Sequence, residues 1–362
     1  MSSKIETNKK YEKVMSYVQD NILTNNLKEG DKLPTEKELA FKYNVSRITV
    51  QRALRELQQL GIIYCVQGAG SYVGTNKEYK KEDITFMPII ASRSNINNRF
   101  IEVIQGAEKF LSKYSCFVTI HSPNNPEEEQ EIILSLINKR AQCFIVLPYE
   151  ADKNIDFYEN LLLKKFPIVF VDFLPFKFTG NLVTSDNTSG GYLATKHLLD
   201  QGYRRIAFIS SNMHPEPSIN ERKNGYQYAL KEAGIPFNPN YLSKATEQFD
   251  DTVKRIRTLP EPPDAIFCVN DITAVGVYSI LQRDNVQIPE DIALIGFDDL
   301  EISAKQPIPI STIRQDFFEM GYSAAEIAVK LIKEKPVYYT QHVLPVSLIP
   351  RESTQKAKRV NL

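Results

Sequence analysis

The spacing of apolar positions changes character along the chain. Within residues 9–26, Tyr11, Val14, Val18 and Ile22 recur at helical intervals. "EGDKLP" breaks that pattern and reads as a loop. Thr35 then caps a second helix, and Glu38 stands three residues on, the spacing of a capping box. This helix runs through Leu39 and Ala40 to Tyr43. Asn44 and Val45 make a tight turn, and Ser46 caps a third helix that ends at Gly61. "IIYCV", a Gln-Gly-Ala-Gly turn and "SYV" predict a β-hairpin tipped by glycines. "NKEYKKED", residues 76–83, is charged and aperiodic, which marks a linker.

Beyond the linker the pattern alternates. Short apolar runs ("ITFMPII", "CFVTI", "CFIVLP", "PIVFVD", "RIAFIS", "AIFCV", "IALIGF") are separated by helix-like segments such as "NRFIEVIQGAEKFLSKY" and "DITAVGVYSILQRDN". Apolar runs without polar alternation suit strands buried on both faces. Alternating strand and helix implies parallel sheets covered by helices on both sides. Roughly 270 residues are more than one small sheet needs, so two α/β lobes are expected.

Composition narrows the function. The chain has 362 residues, too many for one ordinary domain, and its formal net charge is zero, so no global field argues for nucleic acid or membrane. The first ten residues, MSSKIETNKK, lack the apolar core of a secretory signal, and no apolar run approaches the roughly 20 residues that span a bilayer. A soluble, cytoplasmic protein with no membrane partner is expected. Cys65, Cys116, Cys143 and Cys268 lie in or beside strand-like runs, at spacings that match neither a zinc site nor a redox pair. They read as small buried hydrophobes, and no metal or cofactor is expected. Enzyme signatures are missing: there is no GxSxG, P-loop or HExxH. "GAGSYVG" loosely resembles a dinucleotide loop, but it opens no helix and a charged linker follows.

The third helix carries the first chemical signal. At about 100° per residue, Arg47, Gln51, Arg52, Arg55 and Gln58 share one arc. Val50, Ala53, Leu54, Leu57 and Leu60 fill the opposite side, and Glu56 sits at the boundary. Arginine and glutamine pair bidentately with guanine and adenine edges in the major groove, and a helix start aims N–H groups at phosphate. A charged face alone is ordinarily just solvated. Here it follows a capped helix and a tight turn and precedes a wing-like hairpin, the arrangement of a helix-turn-helix reader.

"GDKLPTEKELAFKYNVSRITVQRALRELQQLGIIYCVQGAGSYV" resembles the winged-helix domain of GntR-type bacterial transcription regulators. The resemblance implies that Arg47 reads bases and that Ser46, Thr49 and Glu36 lie near phosphate and base edges. Gln67 and Gly68 fall at the wing tip, where the family reaches the minor groove. Gln51 stands where close relatives often carry a second arginine, so adenine is the expected base there. Ile48 lies on the polar arc, within reach of a thymine methyl. Residues 1–75 hold 11 Lys and Arg against 8 Asp and Glu, so a dimer's doubled contacts would matter.

Polar residues gather at the carboxyl ends of the predicted strands, the edge where open α/β sheets bind ligands. These are Ser92, Arg93 and Ser94; Asp172 and Phe173; Asn270 and Asp271; Asp298 and Asp299. Arg222 heads a helix. Any one of them is most simply a helix cap, Asp186 and Asp271 especially; several strand ends agreeing suits a polyol, with charges gripping hydroxyls and an aromatic covering C–H surface. "SDNTSGGYLATKHLLDQGYRRIAFIS", "VNDITAVGVYSIL", "IPEDIALIGFDDLEIS", "ISTIRQDFFEMG" and "HVLPVSLIPRES" resemble the effector domain of LacI/GalR-type repressors, which is itself similar to periplasmic sugar-binding proteins. The resemblance puts Asp172, Arg222, Asn270, Asp298 and Gln315 on sugar-contacting positions, with Ser92, Arg93, Ser94 and Phe173 beside them.

The expected architecture is therefore multidomain. A winged helix-turn-helix (1–75) and linker (76–83) precede a two-lobed α/β effector and dimerisation domain (84–353). Its lobes are expected at 84–184 with 315–344 and at 185–314 with 345–351, the chain crossing near Ser185, Arg314 and Leu344. A GntR-type reader joined to a LacI-type sensor resembles the arabinose-responsive repressors. That implies a homodimer on a pseudo-palindromic double-stranded operator, released by a monosaccharide, with L-arabinose the first choice. An activator, or a regulator needing a corepressor and answering to another pentose, a hexose or a nucleoside, is the alternative. A periplasmic receptor would need a signal sequence and no reader, and an α/β enzyme a nucleophile or metal set.

Overall fold

Reciprocal hydrogen bonds at Thr35 start the first fully described helix. The Glu38 N–H donates to Thr35 Oγ1 at 3.3 Å, and the Thr35 N–H donates to Glu38 Oε2 at 2.7 Å. The structure, a computed structural model, describes residues 13–18, 20–21, 26–28, 30–59, 62–66, 70–74, 84, 86–91, 98–114, 116–148, 150–210, 217–243, 248–334 and 339–355. Within these the chain divides into a small amino-terminal unit and a large unit that begins at Ile84.

In the small unit, residues 13–18, 20 and 21 are helical (α1). The capped helix is α2 (Glu36–Tyr43), and it ends at Asn44, whose left-handed φ of 49° turns the chain into α3 (Arg47–Gln59). β1 (Ile63–Val66) and β2 (Gly70–Val73) pair antiparallel, with Tyr64 stacked on Tyr72 at 5.5 Å. Val14 and Val18 of α1 meet Leu39 of α2 and Val50, Ala53, Leu54 and Leu57 of α3 in one core, closed by Ile63 and Val73 of the hairpin. The apolar stripe of α3 is thus spent on this core, which leaves its arginine and glutamine arc outside. Gln67 and Gly68, the linker 76–83 and the final residues of the third helix's expected span, Leu60 and Gly61, lie outside the described residues.

The large unit has two sheets. The first is six-stranded and wholly parallel, in the order β12-β7-β6-β5-β3-β4. Its strands are β3 (Phe86–Ala91), β4 (Phe117–His121), β5 (Phe144–Leu147), β6 (Ile168–Val171), β7 (Asn181–Ser185) and β12 (Gln341–Leu344). α4 (Asn98–Leu111), α5 (Pro126–Asn138) and α6 (Ile155–Leu163) alternate with them, and α12 (Phe317–Glu334) packs beside α4. The second sheet orders β8 (Ile206–Ile209), β9 (Ala265–Cys268) and β10 (Ala293–Ile295) as β10-β9-β8, again parallel. Bridges Ile295–Ser311 and Asp298–Arg314 extend it to β11 (Thr312–Arg314), which pairs antiparallel with β13 (Ser347–Ile349). α7 (Asn187–Asp200), α8 (Pro217–Glu232), α9 (Phe249–Arg257), α10 (Asp271–Arg283) and the short α11 (Glu301–Ala304) belong to this second lobe. The chain passes between the sheets after β7, after β11 and after β12.

This is the winged helix-turn-helix followed by a two-lobed α/β domain that the alternation implies. Four strands escape a hydrophobic reading: "NLVTS", "TIR", "QHVL" and "SLI". They are short and partly polar. β7 is nonetheless interior, with two of its polar side chains satisfied: Asn181 Nδ2 donates to the Ile168 carbonyl at 3.1 Å, and Thr184 Oγ1 to the Asp172 carbonyl at 2.6 Å, while the Ser185 hydroxyl is buried without a partner among the described residues.

Candidate functional sites

The reading face is organised by a carboxylate from the neighbouring helix. Glu36, in the first turn of α2, accepts from Gln51 Nε2 at 2.9 Å, and its Oε2 lies 3.6 Å from Arg47 Nη2. The arc of α3 holds no acid in sequence; the helix-turn-helix brings one. Arg47 stays 70% exposed, so this pair orients the side chain at little cost to release it. Arg52 pairs with Glu56 one turn on at 3.8 Å, Arg55 is exposed, and Ile48 is 78% exposed. Ser46 Oγ accepts the Thr49 N–H at 3.1 Å, which confirms the cap. Thr49 sits deeper than Arg47 and Ile48 before it. It is 8% exposed, and its hydroxyl is 2.8 Å from Ser46 Oγ, inside the helix start.

The second site lies where the two lobes of the large unit meet. After β10 the chain turns sharply: Asp298 and Asp299 have φ of 113° and 59°, left-handed values that non-glycine residues adopt only when their surroundings hold them there. The surroundings do so. Asp298 N–H donates to the Ile313 carbonyl at 2.7 Å. Its carboxylate, fully buried, accepts Arg99 Nη1 on Oδ2 at 2.9 Å and Gln315 Nε2 on Oδ1 at 2.6 Å, with Arg222 Nη1 3.8 Å from Oδ1. Asp299 is held from outside by Arg314 at 2.6 Å and by Arg351.

Arg222 is fixed from three directions. Nε donates to Asn187 Oδ1 at 2.8 Å, Nη1 to the Val269 carbonyl at 2.7 Å, and the guanidinium lies 3.9 Å from the Phe297 ring centre. The helix that carries it is pressed against α7 at glycines: a Cβ on Gly191 would stand 2.0 Å from the Arg222 carbonyl oxygen. Asp172 follows β6 with φ of 78°, and its N–H reaches the Val183 carbonyl at 2.9 Å. Burial pushes its carboxyl pKa up, while the charges of Arg222 and Arg99 pull it down. Asp172 Oδ1 and Gln315 Oε1 are buried acceptors without a hydrogen-bond partner among the described residues.

The structure therefore brings Asp172, Arg222, Asp298 and Gln315 into one charged cluster, with Phe173 half-buried next to it. Asn270 has a structural task as well: its Oδ1 accepts the Thr273 N–H at 2.8 Å and caps α10, which leaves its NH2 for other partners. Asp186 caps α7 through Ser189. Asp271 is no cap. It is wholly buried and accepts from Leu300 N–H, Ser303 Oγ and Thr312 Oγ1 at 2.7–2.8 Å, a knot between α10 and the Asp298 turn; burial pushes its pKa up to about 7. Ser92, Arg93 and Ser94 lie outside the described residues. The sequence reading missed Arg99 and Asn187. Arg99 heads the helix after β3, so the strand-end rule that picked Ser92 to Ser94 stopped just short of it. Asp298 and Gln315 also wall a cavity of about 640 Å³ lined by Glu102, Gln105 and Phe317, which neither Asp172 nor Arg222 reaches. Among the described residues no three His, Cys, Asp or Glu side chains converge as a metal site, and no helix is long and apolar enough to cross a membrane. Cys143 and Cys268 are buried free thiols, and Cys116 is half-buried.

A reading helix with a wing, and a charged cluster between two α/β lobes, define a bacterial transcription regulator with a small-molecule effector domain. Residues 10–73 match the model of the gntR family of bacterial regulatory proteins, and residues 195–354 that of the periplasmic binding protein-like domain. The chain is 30% identical over 373 residues, 96% of its own length and 97% of the relative's, to the arabinose metabolism transcriptional repressor of Halalkalibacterium halodurans. It belongs to that family of GntR-type regulators with LacI-type effector domains; it is a regulator, not an enzyme. The ribose operon repressor of Haemophilus influenzae is 30% identical over 266 residues, covering 72% of this chain and 79% of that protein. In fold the chain is similar to a ribose-bound LacI family regulator from Enterococcus faecium, with a TM-score of 0.64, 24% identity, and coverage of 76% of this chain and all of the other.

Proposed function

We propose that this protein is a sugar-responsive transcriptional repressor that works in the cytoplasm as a homodimer on a pseudo-palindromic operator. Residues 1–75 form the reader, 76–83 the linker and 84–353 the effector and dimerisation domain. Arg47, Gln51, Arg52 and Arg55 face the major groove, Ile48 meets a thymine methyl, Ser46 and Glu36 border the contact, and Gln67 and Gly68 enter the minor groove. A monosaccharide binds between the lobes, held by Asp172, Phe173, Arg222, Asn270, Asp298 and Gln315 with Ser92, Arg93 and Ser94. L-Arabinose is the favoured effector.

The observation that carries this reading is the interlobe cluster: among the described residues, four buried or half-buried charges in balance, with two acceptors that lack donors. Its ligand must bridge both lobes, so it favours one lobe arrangement over the other, and only such a differential contact can shift an equilibrium. D-Ribose is the second choice, because a ribose operon repressor stands among the relatives. The test is a gel shift of the full-length protein on its operator, titrated with L-arabinose, D-ribose and other monosaccharides. Release by one of them is expected; release by none removes the inducer model, and tightening by one would make that sugar a corepressor.

A further inference from the structure

Among the described residues of the interlobe cluster, Arg99 is a cation that no family resemblance or motif points to, and it links the two lobes. It stands on α4, in the lobe of the six-stranded sheet, and its guanidinium reaches the Asp298 carboxylate of the other lobe at 2.9 Å. Its own side chain keeps 21% of its surface exposed, whereas that of Asp298 keeps none. The Phe317 ring lies 5.8 Å from the guanidinium. Asp298 is meanwhile engaged on both oxygens, by Arg99 and by Gln315. Such a carboxylate orients its partners and keeps a lone pair on each oxygen for a ligand hydroxyl. Among the described residues, Asp172 Oδ1 and Gln315 Oε1 are buried acceptors without donors, and such groups are rare because each costs its desolvation. Arg99 is near enough to Asp172 for its charge to favour that carboxylate.

Resting on the sugar-responsive reading above, we propose that Arg99 is a specificity-determining residue of the effector site. Held in place by Asp298, it donates to an oxygen of the bound molecule, while Asp172 and Gln315 accept from its hydroxyls. The pairing of charges favours one class of effector. Among the described residues of the cluster, Arg99 and Arg222 face Asp172 and Asp298 in equal number, so a phosphate or carboxylate finds no unpaired cation there. The effector is a free, neutral monosaccharide, and sugar phosphates and sugar acids are rejected.

The test is calorimetric titration of the full-length protein and its Arg99→Ala and Arg99→Lys variants with L-arabinose, D-ribose and D-galactose. The 5-phosphates of the two pentoses and monodeoxy forms of whichever sugar binds complete the panel. The wild type should bind one free sugar at least about 100-fold more tightly than any phosphate, and Arg99→Ala should weaken that sugar by about 10- to 100-fold. One deoxy sugar should lose affinity for the wild type yet lose nothing further on Arg99→Ala, a coupling that a merely structural arginine would not produce. Unchanged affinity in the variant, equal losses against every deoxy sugar, or a phosphate bound as tightly as the free sugar each overturn the proposal. If Arg99→Ala does not fold, the same cycle on Arg99→Lys decides, since lysine keeps the charge but loses the forked donor. If no sugar binds the wild type, the functional reading falls and takes this one with it; sugar binding that ignores position 99 removes this one alone.

Discussion

The reading face and the effector site are both built from arginine paired with carboxylate, yet they differ in nearly every physical respect. Glu36 and Gln51 are 15 residues apart, on neighbouring helices joined by a tight turn; Arg99 and Asp298 are 199 apart and come from different lobes. Arg47 is 70% exposed, while the Asp298 side chain is fully buried. Exposed pairs are weak, generally below about 1 kcal/mol, and buried ones are costly to break. A reader must exchange Glu36 for bases and phosphates without penalty. A sensor must turn the arrival of one small molecule into a change of equilibrium, which needs interactions that matter. The same side-chain chemistry serves both because burial sets its strength.

Four experiments sharpen or break that contrast. Asp298→Ala carries the largest expected effect. It strands the largely buried Arg99 and Arg222 guanidinium groups, and about 3–5 kcal/mol of effector-domain stability should be lost in a urea titration, together with the sugar response. A loss below 1 kcal/mol would mean the cluster behaves like a surface pair. Next, Arg47→Ala should weaken operator binding by about 1–3 kcal/mol while sugar affinity and melting temperature stay put, as measured by gel shift and calorimetry. Equal weakening on unrelated DNA would demote Arg47 from base reader to phosphate contact. Thr35→Ala removes the hydroxyl half of the capping box, leaves the backbone N–H to Glu38 in place, and should cost the small unit about 1 kcal/mol, visible in thermal unfolding.

The smallest effect is a pH slope in the large unit. The His197 ring is half-buried, with Nε2 2.7 Å from Thr354 Oγ1, and burial holds its pKa below the ordinary 6.5. The unfolded chain therefore takes up this proton before the folded one does. Stability from the neutral ring is present above pH 6.5 and is lost as pH falls from there through the depressed folded value. His197→Gln should flatten that slope in unfolding curves recorded between about pH 7 and 5. An unchanged slope would mean that the histidine titrates alike in both states.

Much of the small unit was legible in its residues because its determinants are local. Thr35 and Glu38 form their box across three positions, Asn44 turns the chain by its own left-handed conformation, and the stripe from Val50 to Leu57 dictates which side of α3 is buried. Periodicity also found the apolar strands of both large sheets, since strands buried on two faces need little but apolar side chains. It did not find β7, an interior strand made polar by Asn181, Thr184 and Ser185. Nor did it foresee that Thr49 folds inward onto Ser46, or that Asp271 is a three-bonded knot and not a cap.

The sequence alone determined the helices of the small unit, the apolar strands of both sheets and which side of the third helix faces a core, because those properties follow from dihedral preference, capping and the period of apolar positions over a few residues. The partners of each buried charge were decided only by tertiary structure. Arg99 becomes a sensor-site residue solely because the lobes bring Asp298 to it from 199 positions away, and the strength of that pair depends on burial, which is a property of the assembled domain and not of either residue.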